Sequence, residues 1–471
     1  MSGSRGGRAS ALIGNTVVFA LGSLAVKAVS LALMPLYTSA LTASQYGLAE
    51  LLSSGIEIAL PLLSLGVIEA LYRFAIDDDV DKRALLTSSL VLLGGAVAVA
   101  AALSALAHLL WHYEHAGAVL ALFATTSLYK GTTQLARGLG HVRRFVAYGL
   151  LNALVLVLAS YALLRGAGAG VEGYLWSYSI GYLSAGAIAF LVSREYRLLV
   201  PLRPDGALMR RMLAYSLPLV PNLLSWWIVS VSGRYVVLWG SGLAAAGLFS
   251  AAGKMPSLIN IITSVFQQAW QYTTAREIGS AGSGAFFGRV LRGYALLTLS
   301  MAGAVIALNR VFSRILLQAE FQEAWRYVPL LMLAATFGIM STFFGTFYQA
   351  LLDSRMLMVS TMLGALVNLL LGMILVVIIG PWGAGVAAVL SYLIVLIVRV
   401  RGIASRIDMP IPYGRISYQL VLLSLMAVCT SVDGGPWLGV VVWGCLALLL
   451  ASDPGALRLV AARGRAAVRG R

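Results

Sequence analysis

Apolar runs of roughly 17 to 25 residues fill most of the 471-residue chain, the length a helix needs to cross a hydrocarbon core about 30 Å thick. The pattern predicts about fourteen helical spans, at 11–38, 44–74, 84–110, 116–138, 144–164, 173–193, 211–239, 244–272, 289–309, 327–352, 356–379, 383–400, 417–433 and 436–452, the last two short. Connections such as Thr42–Ser44 and Gly380–Trp382 are brief, and the longer one from Arg310 to Arg326 reads as an amphipathic piece at the membrane interface. Lys and Arg crowd alternate connections. Arg73, Lys82, Arg83, Arg137, Arg143 and Arg144 begin a series that continues through Arg194–Arg211, Arg276–Arg292 and Arg355 to Arg399, Arg401, Arg406 and Arg415. The opposite side holds Arg165, Arg310, Arg314 and Arg326, so the positive-inside rule places both termini in the cytoplasm; the expected location is the plasma (inner) membrane, as a multi-pass protein.

Composition agrees with the pattern and removes other classes. With 60% hydrophobic and 11% charged residues and a mean hydropathy of +0.87, one soluble core has no room for the apolar surface. The formal charge of +16 lies between apolar runs rather than on one polar face, which excludes nucleic acid as its reason. Cys429 and Cys445 both fall in late apolar runs, leaving no disulfide framework and no cysteine metal site; no cofactor is expected. Arg5 and Arg8 precede a run too long for a signal-peptide core, which predicts an uncleaved first span. The Gly279–Gly284 segment lacks the Lys-Ser/Thr of a phosphate-binding loop and reads as a linker.

The chain also matches itself. Tyr37–Leu51 aligns with Val237–Ala251, pairing Gly47 and Leu48 with Gly247 and Leu248; Gly170, Gly173, Tyr182 and Leu183 recur as Gly380, Gly383, Tyr392 and Leu393. A parallel repeat of two six-helix units follows, with its boundary in the basic, proline-containing segment 193–206, and repeated transporters hold their substrate between repeats. The expected architecture is an all-α polytopic membrane protein: one six-helix bundle at 1–200, a second at 201–405, and two further helices with a basic tail at 406–471.

Charges inside spans carry the candidate chemistry, because an intramembrane cation costs on the order of 2.5–3.5 kcal/mol and so faces a partner or a watered cavity. Lys27, Lys130, Arg234 and Lys254 are the four. Arg234 and Lys254 lie roughly 12 and 17 Å from the glycine-rich turn at Gly240–Gly242, at about 1.5 Å per residue. With no acid between them in sequence, they suggest an anion site suited to phosphate oxygens. The second span holds Glu50, Glu57 and Glu69. Glu69 is placed to bridge to Arg73 one turn on, whereas Glu57 either pairs with Lys27 at similar depth or carries a coupling proton. His108, His112 and His115, with Glu114, share a helix end with Trp111 and Tyr113; an interfacial belt explains them better than metal ligation. Pro35, Pro61, Pro218, Pro221 and Pro256 mark possible hinges.

Several motifs together, Gly14–Thr16, Lys27, Tyr37–Leu51, Gly66–Phe74, Ser216–Asn222, Arg234–Lys254 and Gly380–Ala388, resemble the polysaccharide, or lipid-linked oligosaccharide, flippases of the multidrug/oligosaccharidyl-lipid/polysaccharide (MOP) exporter superfamily. The resemblance covers roughly residues 10–400 and departs from the family at Gly233, where related sequences often carry an acid before the seventh-span arginine. It implies two six-helix bundles opening alternately around a central cavity, a transporter rather than an enzyme, and a polyprenyl-diphosphate-linked oligosaccharide as substrate. A coupling proton or sodium ion is the further partner that buried carboxylates would serve. Alternatives remain: a cation-coupled multidrug exporter of the same superfamily, a peptidoglycan-precursor lipid flippase, and more distantly a membrane glycan polymerase or ligase.

Overall fold

A computed structural model describes residues 22, 24–192, 204–280, 282–432 and 435–455. The start of the first expected span, most of the basic boundary segment and the C-terminal tail lie outside them. Among the described residues every regular element is helical, and there is no strand. Hydrocarbon offers no water to backbone N–H and C=O groups, so a spanning segment must satisfy them internally.

In chain order the helices are α1 (Leu24–Ala40), α2 (Ala43–Leu63), α3 (Val67–Ile76), α4 (Lys82–Trp111), α5 (Ala116–Gly138), α6 (Val142–Ser160, closed by a π turn at Tyr161–Gly166), α7 (Gly170–Val192), α8 (Gly206–Ser216) and α9 (Val220–Ala252). They continue as α10 (Ser257–Glu277), α11 (Ser283–Ala307), α12 (Asn309–Leu316), α13 (Val328–Ala350), α14 (Ser354–Ile379), α15 (Pro381–Ala404), α16 (Tyr413–Ser431) and α17 (Pro436–Ala451). Each expected span has a helical counterpart among the described residues. Nine of the helical stretches are long and apolar enough to cross a membrane. Two others, α5 and α10, are not counted among those nine. Both are interrupted by polar side chains such as Thr125, Lys130 and Gln134, and Asn260, Gln267 and Gln271.

Three expected continuous spans are interrupted, and in one of them, 211–239, the chain passes from α8 to α9 through a 3-10 turn at Leu217–Leu219. The run 44–74 divides into α2 and α3 at Ser64–Gly66, where Leu65 and Gly66 take left-handed backbone angles (φ 53° and 70°). Gly66 N–H there reaches back to the Pro61 carbonyl at 2.9 Å. The run 244–272 divides at Gly253–Pro256. Pro256 has no N–H to give, and Lys254, Met255, Ser257 and Leu258 donate instead to carbonyls three residues back, a tightened turn that keeps the backbone satisfied. Gly206–Ala252 runs for 47 residues, too long for one crossing. It reverses at Gly242 (φ 85°, ψ 178°), a conformation only glycine takes easily, and the Phe249 ring returns against Gly233 on the incoming arm.

The chain forms two compact units, Met1–Trp227 and Ile228–Arg471. In the first, α7 packs on α5 and α6, and α3 on α4 and α5. In the second, α13 is the core helix, packed against α10, α11, α15 and α16; 72% of its apolar window is buried, against 17% for α4. Trp270 of α10 stacks on Phe343 of α13 (4.6 Å between centroids) and meets Phe287 and Phe347 edge-on, so this indole is a packing residue. The glycines matched within the sequence do matched work. Gly170 opens α7 and Gly380 precedes α15, with φ of 54° and 62°, and a Cβ on Gly173 or Gly383 would press on the chain just before it.

Outside the spans, Asp353 caps α14 by accepting from Met356 N–H (3.0 Å) and receives Arg406 Nη1 at 2.6 Å. These bonds hold its carboxyl below the ordinary carboxylate value. Its contribution to stability is therefore complete above the unfolded-state value near 4 and is lost as pH falls through the lower folded value. Asp353→Asn should lower the apparent melting temperature by a constant amount from pH 8 to 5, and the gap should close below pH about 4. A gap independent of pH would show that the cap acts without its charge.

Candidate functional site

The first unit holds a buried carboxylate in a cluster of tyrosines. Thr42 and Gln45 form a reciprocal cap that starts α2, which places Tyr46 and Glu50 one turn apart on its buried face. Glu50 accepts from Tyr46 Oη at 3.2 Å and from Tyr174 Oη, on α7, at 2.7 Å. Tyr174, Tyr178 and Tyr182 recur every fourth residue on α7 and form a line of rings. The Tyr174 and Tyr178 hydroxyl oxygens lie 3.4 Å apart; the Tyr178 and Tyr182 rings lie 6.1 Å apart; Tyr182 stacks on Tyr129 of α5 at 5.1 Å. At the near end Tyr37 packs 4.9 Å from Tyr174 and shares a hydrogen bond with Ser160. Glu57 lies two turns beyond Glu50 on α2 and is exposed. Trp227 Nε1 donates to Ser54 O at 2.9 Å and seats the start of α9 on α2 between the two acids.

Of the four expected bases, Lys27 on α1 and Lys130 on α5 are half-buried members of the first unit. Lys27 and Glu57 form no ion pair among the described residues: Glu57 is exposed, and the expected pairing is not made. Glu69 and Arg73 form none either, with Arg73 exposed and Glu69 half-buried. Arg234 and Lys254 belong to the second unit, Arg234 on the first arm of the Gly242 hairpin and Lys254 just past the end of the second. Asn368 of α14 donates to Ser232 Oγ (3.3 Å) and to the Ile228 and Val229 carbonyls, fixing one face of α9. Arg234 is two residues, about 200°, around the helix from Ser232, so its half-buried side chain leaves from the side away from α14. Gly233 is the position where an acid is common among relatives of the expected kind; a side chain there would meet Phe249. Lys254, also half-buried, emerges from the tightened turn between α9 and α10.

Two features escaped the linear reading. Arg399, counted above as a connection residue, is buried in α15. Its Nε donates to Ser360 Oγ (3.0 Å), Nη1 to Ser341 O and Oγ (3.1 and 3.2 Å) and Nη2 to Thr361 Oγ1 (3.0 Å), while its own carbonyl accepts from Tyr348 Oη. One guanidinium thus ties α13, α14 and α15 together. The available signal was its spacing from Arg401, which puts the two on opposite faces of one helix. The histidines do not converge: His115 pairs with Glu172 of α7 (2.6 Å), His108 approaches the Tyr113 carbonyl, and no group of three metal-ligating side chains exists among the described residues.

The sequence profile described as "Polysaccharide biosynthesis protein" matches residues 12–271. No curated protein matches the chain in sequence. Among solved structures it is similar to "Lipid II flippase MurJ, inward closed conformation" (TM-score 0.66, 11% identity, 93% of this chain and 99% of that one). It is also similar to an inward-facing multidrug resistance MATE family transporter of the MOP superfamily (TM-score 0.62, 15% identity, 83% and 94%). A MOP superfamily transporter from Pyrococcus furiosus, described as having a binding pocket of reverse polarity, is a third (TM-score 0.58, 14% identity, 84% and 95%). These likenesses establish a MOP-type fold.

Arg399→Lys keeps the charge but replaces a fork that spans three residues with a single ammonium. It should destabilise the detergent-solubilised protein by about 2 kcal/mol, the scale of one or two lost charge-assisted hydrogen bonds. Arg401→Lys, two residues away and exposed, should change nothing measurable. Equal melting temperatures for the two variants would show that the Arg399 cluster is not a structural tie.

Proposed function

The chain belongs to the polysaccharide biosynthesis protein family, and from that membership we propose that it flips a polyprenyl-diphosphate-linked oligosaccharide from the cytoplasmic to the outer leaflet for surface polysaccharide assembly. It is a multi-pass membrane protein with the fold of flippases and exporters. The observation that carries the finer reading is the set of half-buried bases within membrane helices or their breaks, Lys27, Lys130, Arg234 and Lys254. Guanidinium and ammonium groups held in a site of low dielectric bind phosphate oxygens more strongly than in water. Arg234 and Lys254, on the first arm of one hairpin and just past the end of its second, hold the diphosphate. In this reading the bundles 1–200 and 201–405 alternate access to the two leaflets, residues 406–471 flank them, and both termini are cytoplasmic.

An inside-negative potential favours outward movement of an anion by about 2.3 kcal/mol per charge per 100 mV, enough to bias transport of a diphosphate without nucleotide hydrolysis. Glu50 and Glu57 support a second reading, a cation-coupled exporter in which the acids take a proton or sodium ion and the bases are secondary. Neutralisation separates the two.

Arg234→Gln with Lys254→Gln should insert at unmutated levels and fail to restore glycan in a surface-export defect, while Arg234→Lys retains part of the activity. Normal export by the inserted double variant would move the anion site elsewhere. If Glu57→Gln alone abolished transport while the double base variant did not, the exporter reading would replace this one.

A further inference from the structure

A second basic feature lies apart from the four mid-span bases, on α11 and the linker between α15 and α16. Ala285, Gly288, Arg289 and Arg292 share one face of α11 and, with Pro410, Ile411 and Pro412, line a cavity of about 340 Å³. Gly288 lets the linker lie on the helix backbone, since a Cβ there would meet Pro410 at 2.8 Å. The walls are mainly apolar, and the two prolines contribute no N–H, so the charged groups of the cavity are the guanidiniums. Both arginines are exposed, and Arg292 is held from one side. Asp453, 3% exposed, receives Arg415 Nη1 at 2.6 Å and Arg292 Nε at 3.4 Å on one carboxylate oxygen. This fixes Arg292 at the cavity edge while leaving the group of Arg289, Arg292, Arg415 and Asp453 net positive. Arg289 has no ion-pair partner among the described residues.

We propose that this cavity binds the headgroup of an anionic phospholipid of the surrounding bilayer, with the phosphate on Arg289 and Arg292 and the first part of an acyl chain against Pro410–Pro412. An apolar slot edged by two cations matches an amphiphile better than a free anion, which would leave the slot unused, or a neutral lipid, which would leave the arginines unused. Guanidinium offers paired donors to phosphate oxygens, and basic pockets between membrane helices are where anionic headgroups bind. The occupant would brace α11 against the α15–α16 linker, so its effect is on stability, whatever substrate the protein carries.

The test is thermal melting of the full-length purified protein in a neutral detergent, titrated with phosphatidylglycerol, phosphatidylcholine or inorganic phosphate. Phosphatidylglycerol should raise the melting temperature and the other two should not. Arg289→Gln should need roughly fivefold more phosphatidylglycerol for the same shift, the loss expected for one basic residue at an anionic surface. Ile411→Trp, which fills the slot and spares the cations, should lose at least as much; Arg276→Gln, an exposed arginine away from the cavity, should respond like the unmutated protein. Stabilisation by inorganic phosphate equal to that by phosphatidylglycerol would reduce the feature to a simple anion site and overturn the proposal. So would unchanged phosphatidylglycerol titrations for both Arg289→Gln and Ile411→Trp.

Discussion

Hydrocarbon supplies no hydrogen-bond partners, and that single constraint orders this molecule from backbone to site. Helices satisfy it along each span, and where a span breaks the chain finds a substitute: reach-back to Pro61 before α3, and three-residue hydrogen bonds from Lys254, Met255, Ser257 and Leu258. The same rule governs side chains. Arg399 is buried because hydroxyls and a carbonyl from two other helices accept its protons; Glu50 is buried with phenol donors aimed at it. Lys254 rises from a break in its span and Arg234 from the face of α9 away from α14, both half-buried.

Span count and reversal points were legible because both are one-dimensional. A run of apolar residues of sufficient length fixes a crossing, and Gly240–Gly242 stands where a 47-residue helical stretch must turn. The breaks were less so. Pro61 and Pro256 marked possible hinges, but where each helix stopped depended on the left-handed pair Leu65–Gly66 and on local three-residue bonding. Side-chain partners were the least legible. The depth argument brought Lys27 and Glu57 together, yet depth fixes only one coordinate; rotation about each helix leaves Glu57 exposed and no pair formed. Glu50 was visible as a buried acid, but its donors lie on α2 and, more than a hundred residues away, on α7. Likewise the hydroxyls that accept from Arg399 belong to α13 and α14, and no local spacing announces them.

The first unit carries Glu50, Glu57, the line of phenols and the bases Lys27 and Lys130; the second carries Arg234 and Lys254 beside the Gly242 turn. On this account the charge of the cargo, rather than its sugars, is what the hairpin recognises. The most direct measurement is flipping in proteoliposomes of a fluorescent polyprenyl-diphosphate glycan and of the same glycan on an uncharged polyprenyl carrier, with and without an imposed potential negative on the cytoplasmic side. The account predicts that only the diphosphate lipid is moved and that the potential speeds its outward passage. Equal flipping of both lipids, indifferent to potential, would contradict it.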